Sequence, residues 1–452
     1  MAHPHTVSPT DAPLHAPVGT DERFLSLDAL RGVALMGILV VNLPMFAYHP
    51  SVYYNPPVMG GFSGANFFAW LAQFVLCELK MMSIFSMLFG AGIAMLTHRA
   101  GVVRVHERLE RPRGFGGVFF RRMGFLFLAG IAHAWLLWFG DILFVYSICG
   151  MILYAFRTLA PKTLIIIGSV FMFIVIPVFL LTGLMYWWID SQVTPLKEQI
   201  AQGKLLAADQ HVWLEAEKDM LRWSHPTPEQ LAEDNAVHLQ PGLTGYLGLL
   251  GFRAELNVAM QVFMVPFFGL WRCGGMMLIG MALFKNGFLT GAKDASVYVR
   301  TAVIAYAIGL PLVAFGAYDL VTHNFDLIRS NLLSMHFNYL GSIAMALGHA
   351  SLVVLAVKKG LLAGVVGLIA DAGRMAFTNY LTQTLICTTL FYGYGFALYG
   401  QIDRAGLWVV WACIVALQLI WSRYWLRAFR MGPLEWLWRC ATYLTIPPLR
   451  RG

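Results

Sequence analysis

Charged residues are scarce in this sequence: 12% of its 452 residues are Asp, Glu, Lys or Arg, whereas 58% are hydrophobic and the mean hydropathy is +0.64. Soluble domains carry about 25% charged residues, so the composition excludes an ordinary soluble enzyme and predicts a polytopic membrane protein whose first partner is the lipid bilayer. The net charge of +8 does not indicate nucleic-acid binding, because the basic residues occupy short loops between apolar runs. We expect no nucleic-acid partner.

Motifs of soluble cofactor and metal sites are also missing. The six cysteines show no CxxC spacing, so we expect neither a disulfide nor a zinc site. The chain has no GxGxxG or GxxxxGK[ST] loop and no HExxH motif, and we expect no bound metal. Residues 1–22 lack the basic region and the apolar core of a signal peptide, so they are predicted to form a disordered cytoplasmic tail.

Long apolar runs make up most of the remaining chain. About 20 helical residues cross a bilayer core, and counting runs of that length predicts an all-α bundle of about ten transmembrane helices. Their predicted limits are 27–47, 66–97, 122–139, 142–156, 163–187, 257–284, 297–318, 332–356, 372–393 and 405–425.

Basic residues predict the orientation of this bundle. Arginines are concentrated in loop 98–122 and in the C-terminal tail 426–452. The positive-inside rule places both in the cytoplasm, which predicts an even number of spans and two cytoplasmic termini. The predicted organisation is therefore spans one to five over 23–187, an extracytoplasmic insertion of one or two helices over 188–256, and spans six to ten over 257–425.

The first span, in "RFLSLDALRGVALMGILVVNLPMF", carries two charges near its inner end. Asp28 and Arg31 are three residues apart on one helical face and can form an ion pair. An intramembrane charge also indicates a functional site, so a structural pair and a role beside a ligand both remain open. Asn42 lies eleven residues beyond Arg31, about 16 Å along the helix. Alone, it is typical of a helix–helix hydrogen bond.

The third span, "RRMGFLFLAGIAHAWLLWFGDIL", combines several polar groups. Arg121 and Arg122 at its inner mouth are either topology markers or a phosphate anchor. His133 lies about 16 Å deeper, and on a straight helix Asp141 lies about 12 Å beyond it at the outer boundary. Hydrocarbon disfavours charged imidazole, so His133 is expected to be neutral and available as a general base.

The ninth span, "GRMAFTNYLTQTLI", contains a polar stripe wider than ordinary helix–helix contacts require. The stripe and its flanks are Thr378, Asn379, Thr382 and Gln383, with Arg374 before them and Tyr380 beside them. Lys80, close to Glu78, is a further intramembrane cation that either lines a polar cavity or extends to the outer interface. The closing block "GPLEWLWR" is typical of an interfacial anchor.

Five ordered blocks resemble one family. "LDALRGVALMGILVVN", "FSMLFGAG", "RRMGFLFLAGIAHAWLLWFGDIL", "GRMAFTNYLTQ" and "GPLEWLWRCATY", between Arg23 and Tyr443, are similar to the YeiB-like inner-membrane proteins of domain of unknown function 418. The first block also resembles the start of two groups of membrane acyltransferases, acyltransferase family three and heparan-glucosaminide N-acetyltransferase.

This resemblance implies a bacterial inner-membrane location and a transmembrane acyltransferase that uses cytoplasmic acyl-CoA. Arg121 and Arg122 fall where the family-three enzymes have inner-face arginines, which implies contact with the phosphates of CoA. Guanidinium groups suit bidentate phosphate binding, which agrees with that role. Acetyl-CoA is the expected co-substrate. Arg31 and Arg374 are also expected to contact this anionic cofactor.

One departure from the resemblance changes the expected base. The family-three enzymes have an essential histidine eleven residues beyond the DxLRG-type arginine, where this chain has Asn42. Asparagine is not a base at neutral pH, so either His133 or His49 is expected to replace it, or the reaction is lost or changed. The N-acetyltransferase resembles this chain in having Asn at that position and a later His, which keeps His49 a candidate. His133 is the first choice because Asp141 and the polar ninth span are expected to converge on it.

The predicted function is thus transfer of an acyl group from acyl-CoA to an unknown extracytoplasmic hydroxyl or amine. His133 is the base, Asn379 or Tyr380 is the oxyanion donor, and Asn42 and Asp141 lie near the acceptor. The main alternative is a transporter or exporter whose polar path uses His133 or Asp141 as a proton relay. A third alternative is a non-catalytic scaffold or sensor. A homodimer is compatible with each of these functions.

Overall fold

The computed structural model of the protein describes residues 24–100, 104–105, 108–109 and 115–451, with side chains for 24–97 and 116–451. The predicted tail over 1–22 and the arginine side chains between 98 and 114 lie outside this part of the chain. Elsewhere the chain is almost entirely helical, apart from a two-residue strand pair, Arg104–Val105 with Arg108–Leu109.

The α-helices are numbered in chain order. They are α1 Leu25–Ala47, α2 Ala65–Ala72, α3 Lys80–Ala100, α4 Phe115–Ala132, α5 Leu143–Leu153, α6 Pro161–Ala201, α7 His211–Arg222, α8 Pro228–Leu239, α9 Gly242–Ala259, α10 Leu270–Lys285, α11 Ala295–Thr322, α12 Leu327–Arg329, α13 Met335–Lys358, α14 Ala363–Arg374, α15 Ala376–Phe391, α16 Arg404–Ala428 and α17 Pro433–Tyr443. Wider π-helical turns occupy Gln73–Cys77, His133–Leu137, Met260–Gly269 and Ser330–Ser334.

Seven helical stretches are long and apolar enough to cross a membrane, and each corresponds to a predicted span. These stretches are Leu25–Ala47, Ala65–Thr97, Pro161–Ala201, Gly242–Lys285, Ala295–Thr322, Leu327–Lys358 and Arg404–Ala428. The other three predicted spans contain shorter helices, namely α4, α5 and the broken pair α14 and α15. The multi-pass membrane class expected from composition is thus confirmed.

The longest helix, α6, continues beyond its predicted span. Its 41 residues extend about 60 Å at 1.5 Å each, about twice the thickness of a bilayer core. The segment 188–256 therefore begins inside α6, contains α7 and α8, and ends inside α9. Lys197 pairs with Glu217 at 2.7 Å, and Arg222 pairs with Glu255 at 2.9 Å, so ion pairs hold α7 to α6 and to α9.

Helix α1 lies at the centre of the bundle, against α3, α14, α15 and α16. Its contact with α14 depends on two glycines: a side chain at Gly32 would meet the carbonyl of Ile369, and one at Gly373 would meet the carbonyl of Asp28. Small residues allow helix backbones to approach this closely. The charged first turns of α1 are thereby fixed beside the end of α14, where Arg374 lies.

Candidate functional site

The bundle has two distinct ends. The basic end carries Arg31, Arg122 and Arg374, whereas at the opposite end of α1 His49 contacts Asp234 of α8. We call the second the insertion end. The 23 residues of α1 separate the two by about 35 Å, a full bilayer core.

A cavity of about 280 Å³ extends inward from the basic end, between α1, α3, α4, α5, α15 and α17. Its charged lining residues are Asp28, Arg31, Arg122, Arg374, Arg430, Glu435 and Arg439. Five guanidinium groups thus face two carboxyl groups. This excess of positive charge at a cavity mouth favours an anionic ligand.

The mouth of this cavity is held in place by paired charges and ring contacts. Arg31 lies 2.8 Å from Asp28, so the ion pair predicted from their spacing is present. The Arg122 guanidinium lies 3.7 Å from the centre of the Trp438 ring, and the Trp438 indole N–H donates to the Arg122 carbonyl at 3.0 Å. Among the described residues, Arg122 therefore has an aromatic partner and no carboxylate partner, so its N–H groups can donate to an anion.

Helix α17 closes the mouth through a half-buried carboxylate. Glu435 accepts hydrogen bonds from the backbone N–H groups of Phe377 and Thr378, at 2.8 and 3.1 Å, and from the Thr378 hydroxyl at 2.6 Å. It therefore caps the N-terminus of α15 from a different helix. Burial raises the pKa of the Glu435 carboxyl above its ordinary value. The block interpreted as an interfacial anchor is thus a wall of the cavity.

The interior of the cavity is apolar. Leu35 and Ile38 of α1, Leu126 of α4 and Phe377 of α15 line it, and Tyr380 lies on its wall near Ile142. The cavity therefore combines a cationic mouth with an apolar interior. This suits a ligand that has an anionic group at one end and a narrow, mainly apolar chain at the other.

Beyond Tyr380 lies a buried line of hydrogen bonds. His133 Nδ1 is 2.8 Å from Asp141 Oδ2, and His133 Nε2 is 2.9 Å from the Thr384 hydroxyl. Because a carboxylate only accepts, Nδ1 carries a proton, and in the neutral imidazole Nε2 then accepts from the Thr384 hydroxyl. A carboxylate, an imidazole and a hydroxyl in this order form the arrangement that activates hydroxyl nucleophiles. The ring of Tyr380 lies 5.2 Å from that of His133, between it and the cavity.

The position of Asp141 corrects a prediction. Asp141 was expected about 12 Å beyond His133 along a straight helix, and that is wrong because α4 ends in the π-helical turn His133–Leu137 and the chain then reverses. Side chains of α9 hold the reversal: Asn257 donates to the Ala134 carbonyl and Arg253 to the Leu136 carbonyl, each at 2.9 Å. The predicted convergence of Asp141 and the ninth span on His133 is nevertheless present.

Two predicted cations lie away from the cavity. Arg121 is exposed, and its Nε donates to the Thr442 carbonyl at 3.0 Å, so it holds the end of α17 while Arg122 lines the cavity. Lys80 is fully buried and donates to the Phe74 carbonyl and to the Asn338 side chain, both at 2.7 Å. It is therefore part of a packed contact with α13, and the structure does not bring it to the candidate site.

Most of the polar stripe on α15 faces another helix. Asn379 donates to the Ala372 carbonyl and to the Ser422 hydroxyl, and it accepts from the Trp421 indole at 2.7 Å. Gln383 donates to Gln418 at 2.9 Å. Both polar groups of the Asn379 amide are thus engaged with α14 and α16, and Tyr380 alone of the two predicted oxyanion donors reaches the cavity wall.

Asn42, which occupies the position of the missing histidine, and His49, one of its two candidate replacements, lie toward the insertion end. Asn42 is half-buried and makes no side-chain hydrogen bond to any described residue. His49 is buried, with Nε2 at 3.1 Å from Asp234 and its ring stacked 5.8 Å from that of Trp223. Burial lowers the pKa of His49 below its ordinary value, against the opposing effect of Asp234.

Sequence reasoning missed several residues of the site. Thr384 was passed over as one of several threonines on α15, although it lies one turn beyond Tyr380. Glu435, Trp438 and Arg439 lie within a block that was assigned to the membrane surface. The available signal was Glu435 itself, a carboxylate among aromatic residues.

Comparison with known proteins finds relatives that align with nearly the whole chain. The chain is 32% identical to the uncharacterized protein YxaH of Bacillus subtilis (strain 168) over 448 residues, which covers 96% of this chain and 98% of the relative. It is 32% identical to the uncharacterized protein YeiB of Escherichia coli (strain K12) over 443 residues, covering 94% and 98%. An uncharacterized 39.9 kDa protein of Bacillus acidopullulyticus, encoded in the amylase 3' region, is 24% identical over 433 residues, covering 94% and 96%.

The family model described as "Protein of unknown function (DUF418)" matches residues 283–445. No solved structure matches the chain.

Proposed function

This chain belongs to the YeiB-like DUF418 family, and we propose that it is a transmembrane acyltransferase that moves an acyl group from cytoplasmic acyl-CoA to an extracytoplasmic hydroxyl or amine. The observation that carries this proposal is the cavity itself. Its cationic mouth leads through an apolar interior to Tyr380. The Tyr380 ring packs against His133, which is hydrogen-bonded to Asp141.

In the proposed topology, ten helices cross a bacterial inner membrane and both termini are cytoplasmic. The positive-inside rule supports this orientation, because Arg31, Arg122 and Arg374 lie at the same end of the bundle. The basic end then faces the cytoplasm, where acyl-CoA is available, and α7 and α8 form the extracytoplasmic insertion. The three shorter helical segments complete the count of ten.

Binding of acyl-CoA uses the two halves of the cavity for different parts of the molecule. The phosphates meet Arg31 and Arg122 at the mouth, with Arg374 beside them, and charge-assisted hydrogen bonds fix their position. The acyl-pantetheine arm enters the apolar interior and places the thioester near Tyr380. Acetyl-CoA is the expected co-substrate.

The chemical step requires His133 to accept a proton. The acceptor hydroxyl or amine takes the place of Thr384 at His133 Nε2, its proton moves to the imidazole, and its oxygen or nitrogen bonds to the acyl carbon. The C–S bond breaks, and the departing thiolate of CoA takes the proton. Asp141 holds the tautomer and stabilises the imidazolium, and the Tyr380 hydroxyl, which donates to the Gly140 carbonyl at 3.3 Å, turns toward the developing oxyanion.

The second candidate function is transport. The observation that favours it is the position of His133 and Asp141, a buried titratable pair between the cavity and the insertion end. In a proton-coupled transporter this pair relays protons, and the cavity is the inward-open half of the path.

Calorimetric titration of the protein in nanodiscs with acetyl-CoA distinguishes the two functions. We expect binding, a loss of at least about tenfold in affinity for the Arg31→Ala, Arg122→Ala double variant, and little change for Arg121→Ala, the neighbouring arginine outside the cavity. Absence of binding by wild-type protein that keeps its unfolding transition contradicts the acyltransferase and favours the transporter.

A further inference from the structure

A second cavity adjoins the first at the basic end. Its volume is about 240 Å³, and Arg374 lines both cavities. Its lining residues are Asp371, Arg374, Arg423, Leu426, Arg427 and Arg451. Four guanidinium groups and one carboxylate surround it, and the acyl-transfer chemistry uses none of them except Arg374.

Two different parts of the chain build this second cavity. Arg423 and Arg427 lie one turn apart on α16. Arg451 is brought to them by the C-terminal segment, which returns along the end of α16: Arg430 N–H donates to the Leu449 carbonyl at 2.9 Å, and Arg451 N–H donates to the Ala428 carbonyl at 3.0 Å. The position of Arg451 is therefore set by backbone hydrogen bonds.

The positive charge of the second cavity is only partly neutralised. Asp371 pairs with Arg423 at 2.8 Å and with Arg374 at 3.2 Å, and it is the single carboxylate among the described lining residues. Arg374 Nε is buried without a hydrogen-bond acceptor among the described residues. A site with a net excess of three positive charges and an unmatched donor fits a dianion better than a monoanion.

We propose that the second cavity binds a phosphomonoester dianion, and that this group is the 3′-phosphate of CoA. The proposal rests on the proposed function. CoA carries two separate phosphate groups, a diphosphate in line with pantetheine and a monoester on the ribose. The two adjoining cationic cavities that share Arg374 match that pattern, the first taking the diphosphate and the second the monoester. A phospholipid headgroup of the phosphodiester type has a single charge, which matches three excess cations less well.

The test compares acetyl-CoA with 3′-dephospho-acetyl-CoA by calorimetry, in nanodiscs of zwitterionic lipid. We expect wild-type protein to bind acetyl-CoA at least about tenfold more tightly. The double variant Arg427→Gln, Arg451→Gln, which leaves both ion pairs of Asp371 intact, should bind the two compounds equally, at the level of the dephospho compound. The control Lys293→Gln, Arg300→Gln removes two basic residues that line neither cavity and should keep the full preference.

Each contrary result has a separate meaning. Equal binding of both compounds by wild-type protein, or a preference that persists in the double variant, overturns this inference and leaves the acyltransferase intact. Equal binding together with anionic lipid that co-purifies with wild-type protein but not with the double variant, measured by native mass spectrometry, assigns the cavity to a lipid headgroup instead. Failure to bind either compound contradicts the proposed function itself.

Discussion

Asp141 Oδ2 lies 2.8 Å from His133 Nδ1, although a straight helix would separate the two residues by about 12 Å. The wide turn that ends α4 makes this contact possible, because it lets the chain reverse within the span. π-Helical turns inside helices frequently occur at functional sites. Here the turn supplies an imidazole with a carboxylate that fixes its tautomer, at a point separated from the cavity by one tyrosine.

The first prediction concerns His133. The acceptor is unidentified, so the assay is hydrolysis of acetyl-CoA, with water as acceptor, measured as release of free thiol. We expect His133→Gln to reduce the rate by about 100-fold or more, because a general base contributes that much, and to leave acetyl-CoA affinity unchanged, because the side chain is behind Tyr380. His349→Gln, on α13 away from the cavity, is the control. A variant that loses binding and rate together would place His133 in ligand binding instead.

A second prediction concerns substitution of a glycine that lines the cavity by a larger residue. Gly92 lines it, and a side chain built at Gly92 meets no atom within 4 Å. Gly92→Leu should therefore fold normally and weaken acetyl-CoA binding by at least about tenfold, since the added side chain occupies the space of the pantetheine arm. Gly124→Leu is the matched control, because Gly124 is equally open but does not line the cavity. Calorimetry with a thermal unfolding check separates the two variants, and equal effects would argue against the cavity as the binding site.

The third prediction concerns the stability of the bundle. Asn379→Ala leaves the Trp421 indole and the Ser422 hydroxyl without their partner, which costs about 1–3 kcal/mol for buried polar groups. We expect a lower unfolding temperature in nanodiscs with unchanged acetyl-CoA affinity. Gln401→Ala, which removes only an exposed bond to the Ala397 carbonyl, should leave the unfolding temperature unchanged. Loss of acetyl-CoA affinity in the Asn379 variant, without loss of stability, would return Asn379 to the candidate site.

A fourth prediction concerns pH. Burial, with smaller contributions from His49 and Arg253, lowers the pKa of His238 to about 4, against the opposing effect of its hydrogen bond to the Asp234 carbonyl. Above pH 6.5 this histidine is neutral in both states and contributes nothing. As the pH falls toward 4 only the unfolded chain takes up the proton, so the folded state loses up to about 3 kcal/mol.

Thermal unfolding between pH 7.5 and 4.5 tests this pH dependence. His238→Phe keeps the ring contact with Tyr399, at 4.3 Å between ring centres, and should reduce the fall in unfolding temperature on acidification. His211→Phe, at an exposed position on α7, should keep the wild-type slope. Identical slopes for all three proteins would mean that His238 does not set the acid sensitivity.

The sequence predicted those features that depend on local periodicity. Apolar runs located the seven long helices, and the three-residue spacing identified the pair formed by Asp28 and Arg31. The ninth span shows the limit of this reasoning. Asn379 and Gln383 face α16, whereas Tyr380 and Thr384, each one residue later, face His133. Neighbouring residues on a helix differ by about 100°, and sequence alone does not show which edge of a wide stripe faces a cavity.

Features that depend on distant parts of the chain were not predicted. The reversal after Leu137 is held by Arg253 and Asn257, more than a hundred residues away. The cap of α15 comes from Glu435, 57 residues beyond Thr378. In both cases a backbone group at the end of a helix has no hydrogen-bond partner within that helix and bonds to a side chain of another element. The sequence near the helix end does not identify that side chain.

Photo-cross-linking tests the central claim most directly. Purified protein in nanodiscs is irradiated with an acyl-CoA whose medium-length acyl chain ends in a diazirine, and labelled peptides are identified by mass spectrometry. The account predicts label near Leu126, Phe377 and Tyr380, removed by excess acetyl-CoA. Label confined to exposed apolar positions such as Phe173 and Val303, unaffected by acetyl-CoA, would contradict it.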